Sequence, residues 1–402
     1  MHKFLHYTLL LTSLSCLSQR INAEEINLSI DKYYSPYTGS DLLLSGLRVY
    51  QTADDIWLSS TEGNSCAPMV LARMGKFSLE WVLSNLAMVT QHEVFGHGAR
   101  AREFDLANVS YHVDFWHGAT YFSRAGNSQL QKKQKAALAA GGMEGTSILA
   151  KQLQTSWMNG NNTIDSREAS MYLVNSLDQS RYVFGTSRNS FSADNDVVSY
   201  MNHVNSWHGS HVLNTTNLRR KIVWDLLDPM LYYSILSLYN YIWQGESKTS
   251  FSTLSIGSTS FMPTTRTLLT PWGPELQLLN HFRTVNNKYL GVHLRTGRTG
   301  GTMSHGVDLH INPIAEFENL SFNNKLAVWY QPHILKATTA ATNSNKFGFA
   351  EFFGAAYRVN RSVYSIAEIG FKTSGYLPGT PLTKNLIWRL GFKFNLDAGC
   401  KS

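Results

Sequence analysis

YLGVHLRTG, residues 289–297, alternates strictly. Leu290, Val292 and Leu294 fall on one side of an extended chain; Gly291, His293 and Arg295 fall on the other. Successive side chains of a strand point to opposite faces, so this stretch reads as a β-strand with one apolar and one polar face. The period of two continues downstream. GVDLHI (306–311) sets Val307, Leu309 and Ile311 against Asp308 and His310, and FAEFFGAAYRV (349–359), VYSIAEIGFKT (363–373) and LIWRLGFKF (386–394) follow the same pattern. About eight or nine such segments occupy residues 250–396, separated by turn signals at Gly297–Gly301, Asn323-Asn324 and Asn343–Asn345. No helix-length pattern interrupts them.

Upstream of residue 245 the apolar residues recur at helical spacing. Helices are expected over Phe77–Arg102, Gln131–Met158, Ser166–Gln179, Val197–Trp207 and Leu218–Gln244. Pro229 should split the last of these, with Asp228 capping the second piece. The chain therefore reads as an α+β protein. An N-terminal all-helical domain (24–245) precedes an antiparallel β-barrel or sandwich of about eight or more strands (250–396).

The chain begins MHKFLHYTLLLTSLSCLSQRINAEE. Lys3, the apolar run Phe4–Leu17 and the small-residue site at Ala23 form a secretory signal peptide, residues 1–23. No later stretch has 18 uninterrupted apolar residues, so no transmembrane helix is expected. Export, strands of about ten residues and one apolar face per strand favour a barrel in a bacterial outer membrane. A soluble periplasmic sandwich with one solvated face would give the same alternation. The last strand, ending Phe392-Lys393-Phe394, resembles the aromatic terminal strand of outer-membrane barrels, although NLDAGCKS follows it.

The formal net charge of +7 is spread thinly, and Arg219-Arg220-Lys221 is the densest basic run. Nucleic acid is not an expected partner. Once the signal peptide is removed, Cys66 and Cys400 remain and could form one disulfide, which is no framework.

Chemistry concentrates in QHEVFGHGAR, residues 91–100. His92 and His97 are five residues apart, about 140° around a regular helix, and would not face one metal ion. A π-bulge absorbs the extra residue and restores a shared face; alternatively the helix ends at Gly96 and His97 swings in from the turn. A third arrangement needs no bulge: Glu93 and His97, four apart, share a face. Glu144, in ALAAGGMEGTSILAKQL, is a carboxylate in an apolar helix and is costly to bury without a partner or a metal.

His-Glu-x-x-x-His followed by a later glutamate resembles the gluzincin-type zincin metallopeptidases over residues 77–150, with one residue more than their His-Glu-x-x-His signature. The resemblance implies Zn2+ held by His92, His97 and Glu144, with Glu93 as general base toward a peptide or protein substrate. It also suggests a histidine near the oxyanion. His203, His208 and His211 are candidates for that role or for a second metal, and His112, Asp114 and His117 form another cluster. Arg100 and Arg102 are expected to pair with Glu103 or Asp105. Two functions remain open: an exported zinc-dependent hydrolase, peptidase-like and anchored by its barrel, or a non-catalytic outer-membrane structural or transport protein with a structural metal or none.

Overall fold

Ten strands form a single antiparallel sheet in which the first described strand pairs with the last. The computed structural model describes residues 25–58, 66–160, 162–186, 195–286, 288–334 and 344–395. The signal peptide and Cys400 lie outside the described residues.

Strand β1 (Glu25–Asp31) opens the chain, ahead of helices α1 (Pro36–Leu58) and α2 (Ala67–Thr90). A π-helical segment (Gln91–His97) and α3 (Gly98–Glu103) continue α2 without a break. A hairpin of β2 (Ser110–Val113) and β3 (Gly118–Tyr121) leads through the short α4 (Arg124–Gln129) to α5 (Lys132–Asn159). Then come β4 (Thr163–Asp165), α6 (Ser166–Gly185), α7 (Asp196–His208) and α8 (Thr215–Ile222). A 3-10 segment (Val223–Leu227), α9 (Pro229–Tyr239) and a π-turn (Asn240–Gln244) end the helical half. Asp228 caps α9 by accepting from the Met230 amide, with Pro229 in the first turn, so the expected break holds.

The remaining strands are β5 (Lys248–Ser250), β6 (Leu254–Ile256), β7 (Thr259–Thr270), β8 (Gly273–Arg283), β9 (Tyr289–Thr299), β10 (Thr302–Glu316), β11 (Leu320–Pro332), β12 (Asn345–Arg358), β13 (Val363–Lys372) and β14 (Asn385–Asn395). From β6 to β14 each pairs with its sequence neighbour, and β1 pairs with β14 in the register Leu28–Phe392. Gly300 and Gly301, both at positive φ, make the expected β9–β10 turn. Asn323 and Asn324 do not turn the chain: they lie inside β11, paired with Gly354 and Phe353. Several elements escaped the periodicity: β1, α1, the β2–β3 hairpin, α4 and β4, so the half expected to be all-helical also carries short strands.

Burial along the strands is inverted relative to a soluble protein. In β9 the polar face is the covered one: His293 and Arg295 are buried, whereas Leu294 is exposed. In β14 Leu386, Trp388, Leu390 and Phe392 all face outward. In β12 Phe347, Phe349 and Phe353 do the same, while Ala350 and Phe352 are buried. A sandwich would bury the apolar faces between two sheets; here one sheet wraps helices with its polar face. That face is stitched by ion pairs. Arg295 lies 3.6 Å from Glu275 and 3.3 Å from Asp308, and Glu368 pairs with Lys325 (2.7 Å) and Arg389 (3.1 Å).

The core centres on α5, whose residues Ala136 to Ala150 are all buried. Its Ala- and Gly-rich stretch lets neighbouring backbones approach closely. Leu149, Leu153, Trp157 and Met158 pack with Tyr172 and Leu173 of α6 and Met230 of α9. A second cluster joins Met143 to Val197, Tyr200, Met201 and Val204 of α7.

Candidate metal centre

QHEVFGHGAR adopts the distortion that its spacing demanded. The amide of Gly98 bonds to the Glu93 carbonyl, five residues back, as a π-helix requires. This five-residue ladder turns His92 and His97 to the same side. Their Nε2 atoms lie 3.2 Å apart.

The segment is wedged between α1 and α5. Gln91 Nε2 donates to Pro36 O (2.9 Å), Ser40 Oγ (3.0 Å) and Gly145 O (3.0 Å). Two glycines make room for it. A β-carbon on Gly96 would stand 2.5 Å from the Gly141 carbonyl oxygen, and one on Gly142 would overlap His92 Nε2. The AAGG run before Glu144 therefore serves the approach of the π segment to α5.

Each imidazole is oriented by its other nitrogen. His92 Nδ1 is 2.9 Å from Asp178 Oδ2, and His97 Nδ1 is 2.7 Å from the Leu138 carbonyl. Both partners are acceptors, so each Nδ1 carries the proton and each neutral Nε2 presents a lone pair. Thr146 Oγ1 supports Asp178 at 3.0 Å. Carboxylate and carbonyl partners of this kind fix the tautomer of metal-binding histidines.

The two lone pairs converge on Asp196, the first residue of α7. Its Oδ2 lies 3.1 Å from His92 Nε2 and 3.2 Å from His97 Nε2. Three ligand atoms thus form a triangle with edges of 3.1–3.2 Å. Ligands about 2.0–2.1 Å from a tetrahedral zinc ion stand roughly 3.3 Å apart, so the triangle fits one face of that coordination. Among the described residues, this trio is the group able to hold a metal ion.

Charge points the same way. Asp178, Asp196 and Glu93 surround two imidazoles, with His92 and His97 buried. Three lone-pair atoms facing one another are repulsive unless a cation sits among them. Without metal that cation is a proton. Burial opposes a charged His92, but the carboxylates of Asp178 and Asp196 outweigh it and hold its pKa well above the usual 6.5. For His97 burial is likewise outweighed, chiefly by Asp196. Asp196 is pulled below the ordinary carboxylate range because the attraction of His97 and bonds from both rings exceed its desolvation.

Glu93 follows His92 but points elsewhere. Its Oε2 lies 2.8 Å from Thr120 Oγ1 on β3, and Gly118 of the same hairpin leaves space for its stem. Glu93 and His92 line a cleft of about 90 Å³ together with Met88, Val89, Trp116, His117, Gly118, Arg181 and Tyr182. Tyr182 stacks on the His92 ring with centroids 5.2 Å apart, and burial pushes its phenol up to about 12, so it is a neutral donor.

Glu144 is not with the histidines. Its two oxygens accept from Arg100 Nη2 (2.6 and 2.8 Å), from Arg100 Nε (3.1 Å) and from the Gly379 amide (2.7 Å). The buried carboxylate has its partner, but that partner is a guanidinium. Arg100 also pairs with Glu103 at 2.7 Å, as expected; Arg102 instead bonds Tyr111 and the carbonyls of Tyr33 and Val94. The arrangement of Glu93, His97 and Glu144 on one ion is likewise not formed.

The later histidines stay apart from the trio. His203 sits two turns along α7 from Asp196. His208 Nε2 is 3.0 Å from the Trp272 carbonyl and its ring packs on Trp207. His211 follows the left-handed Gly209 that ends α7, so it does not share a helix face with His208. His112 and His117 are exposed beside Asp114, His117 at the mouth of the cleft.

Asp196 was missed in sequence. Asn195-Asp196 reads as a cap and a first-turn acid, and Asn195 does cap α7 by accepting from Val198. Nothing local marks the same residue as the third member of a trio able to hold a metal.

No family model matches the chain, and no curated protein matches it. The likeness to zincins thus rests on these residues alone. Among solved structures, one match is a NanC porin in a rhombohedral crystal form, 12% identical, covering 35% of this chain and 74% of that chain at a TM-score of 0.26.

Proposed function

We propose that the chain is a metal-dependent hydrolase, peptidase-like in chemistry, carried in a β-barrel wall of an outer membrane. The observation that supports it most is the triangle of His92 Nε2, His97 Nε2 and Asp196 Oδ2. It lies beside a cleft lined in part by a buried carboxylate, Glu93. The exposed apolar and buried polar strand faces support the membrane setting.

In this reading His92, His97 and Asp196 would hold Zn2+, which would supply a Lewis acid for activating water and polarising a carbonyl. The chain's own groups do the rest. Asp178 and the Leu138 carbonyl keep both imidazoles in the ligating tautomer. Glu93, held by Thr120, takes a proton from the nucleophilic water within the cleft and passes it to the leaving amine. Tyr182 donates its phenolic hydrogen toward the oxygen that gains charge. A cleft of about 90 Å³ accepts one side chain of a substrate rather than a folded protein.

The test is metal content by mass spectrometry after purification without chelator. One zinc per chain is expected, lost in His92→Ala and Asp196→Ala and retained in Glu144→Ala. A wild-type chain without metal overturns the reading.

A further inference from the structure

The described sheet is not closed by its own strands. β1 and β6 end it and do not pair with each other. Each free edge meets a helix instead. Ser45 of α1 accepts from the Asn27 amide (2.9 Å) and donates to its carbonyl (2.7 Å), capping the edge of β1. Beyond the short pairing with β6, the edge of β7 meets the 3-10 segment: the Thr267 amide donates to Asp225 (2.6 Å) and the Thr265 hydroxyl to the Trp224 carbonyl (2.7 Å). Between these ends, α1 joins α2 through Asp54–Lys76 (2.7 Å), and α2 joins the turn after α9 through Arg73 Nε to Ile242 O (3.0 Å). Sheet and helices form one ring.

The helices on that ring are inside out. On α2, Arg73 and Glu80 are buried, whereas Leu71, Met74, Leu79 and Leu83 are exposed. Leu42, Gly46, Val49 and Ala53 form the exposed stripe of α1, at steps of four, three and four. From the 3-10 segment through α9, Asp225, Asp228, Ser234 and Ser237 are buried, while Trp224, Tyr232, Ile235 and Tyr239 face out. None of these outward stripes contains a charged residue, and they continue the apolar exterior of β1 (Leu28, Ile30). No helix among the described residues is long and apolar enough to cross a membrane on its own, since each of these carries a polar inner face beside its apolar outer one.

We infer that lipid acyl chains cover the outward faces of α1, α2 and α9, so that a wall of ten strands is completed by helices. The inference rests on the membrane setting proposed above. An inward-facing backbone and its charges find partners inside the protein, which is what a bilayer demands of every spanning element.

Nitroxide labels test it, placed one at a time at Leu79→Cys, Ile235→Cys, Val328→Cys on β11 and Arg361→Cys in the β12–β13 turn. The chain, with its native cysteines replaced by serine, is reconstituted in phosphatidylcholine vesicles. Relaxation by oxygen, which partitions into lipid, is compared with relaxation by a water-soluble nickel chelate. Labels at 79 and 235 should match 328: relaxed by oxygen, protected from nickel. If 79 and 235 respond to nickel as 361 does while 328 does not, the helices face water and the inference fails. If 79 and 235 are shielded from both, a protein covers them and it fails as well. If 328 also responds to nickel, the membrane setting itself is wrong.

Discussion

His92 Nε2 and His97 Nε2 meet at 3.2 Å across a π-helical step, next to a glycine whose missing side chain leaves them room. Gly142 is that glycine, and a methyl group there would occupy the position of the His92 ligand atom. Gly142→Ala should force His92 to rotate away from Asp178 and Asp196. Loss of this alignment should weaken zinc about 10- to 100-fold, the range seen when the partners that orient metal-binding histidines are removed. Competition with a zinc indicator measures it. Gly46→Ala, where a β-carbon meets nothing within 4 Å, is the control and should leave affinity unchanged. Equal affinities for all three chains would mean that the close approach of α5 does not shape the site.

Glu144 should matter for stability and not for metal. Removing it leaves Arg100 buried with one of its two carboxylate partners, and breaking a buried pair costs about 3–5 kcal/mol. The loop after β13 loses an anchor too, because the Gly379 amide donates to Glu144 and the Arg100 Nη1 donates to the Thr380 carbonyl. Glu144→Ala should therefore unfold several degrees lower while binding one zinc. An unaltered melting temperature would contradict the role of the pair, and lost zinc would restore Glu144 as a ligand.

This contrast marks how far the sequence could be read. Alternation in 289–297 gave the strands, because period two is a property of the chain itself. The π-bulge was legible for a similar reason: two histidines five apart reach one side only if a continuous helix absorbs a residue or the helix ends at Gly96, and the structure takes the first course. Glu144 and Asp196 show the limit. A lone carboxylate in an apolar helix announces that it needs a cation but not which one, and Arg100, 44 residues away, is invisible to local spacing. Asp196 looked like a helix start because it is one. The strand β1 stayed hidden because EINLSID is short and its partner, β14, lies at the far end of the chain.

Glu93→Gln separates a catalytic centre from a structural one. The amide keeps the hydrogen bond to Thr120 and the volume but cannot accept a proton. Zinc content and melting temperature should be unchanged, and turnover of a mixed peptide library should fall by about 10²–10⁴-fold, the usual contribution of a positioned general base. Mass spectrometry of the digest reads both the rate and the cleaved bonds. Equal digestion by wild type and variant would remove Glu93 from the reaction. Absence of cleavage by the wild type, with zinc bound, would leave the trio as a structural site.

His203 should make the fold sensitive to mild acid. It is half-buried on α7, and burial, reinforced by the charge of Lys135, lowers its pKa to about 4. An unfolded chain binds the same proton at about 6.5. Between these values the unfolded state carries more protons than the folded one, so stability rises with pH; it is present above 6.5 and is lost as pH falls toward 4. His203→Gln removes the titration while keeping a polar side chain. Between pH 7 and pH 5 the variant should therefore lose fewer degrees of melting temperature than the wild type, compared in the same detergent. The comparison cancels groups common to both chains, and identical losses would show that His203 binds its proton equally well in the folded and unfolded chain, against its depressed pKa.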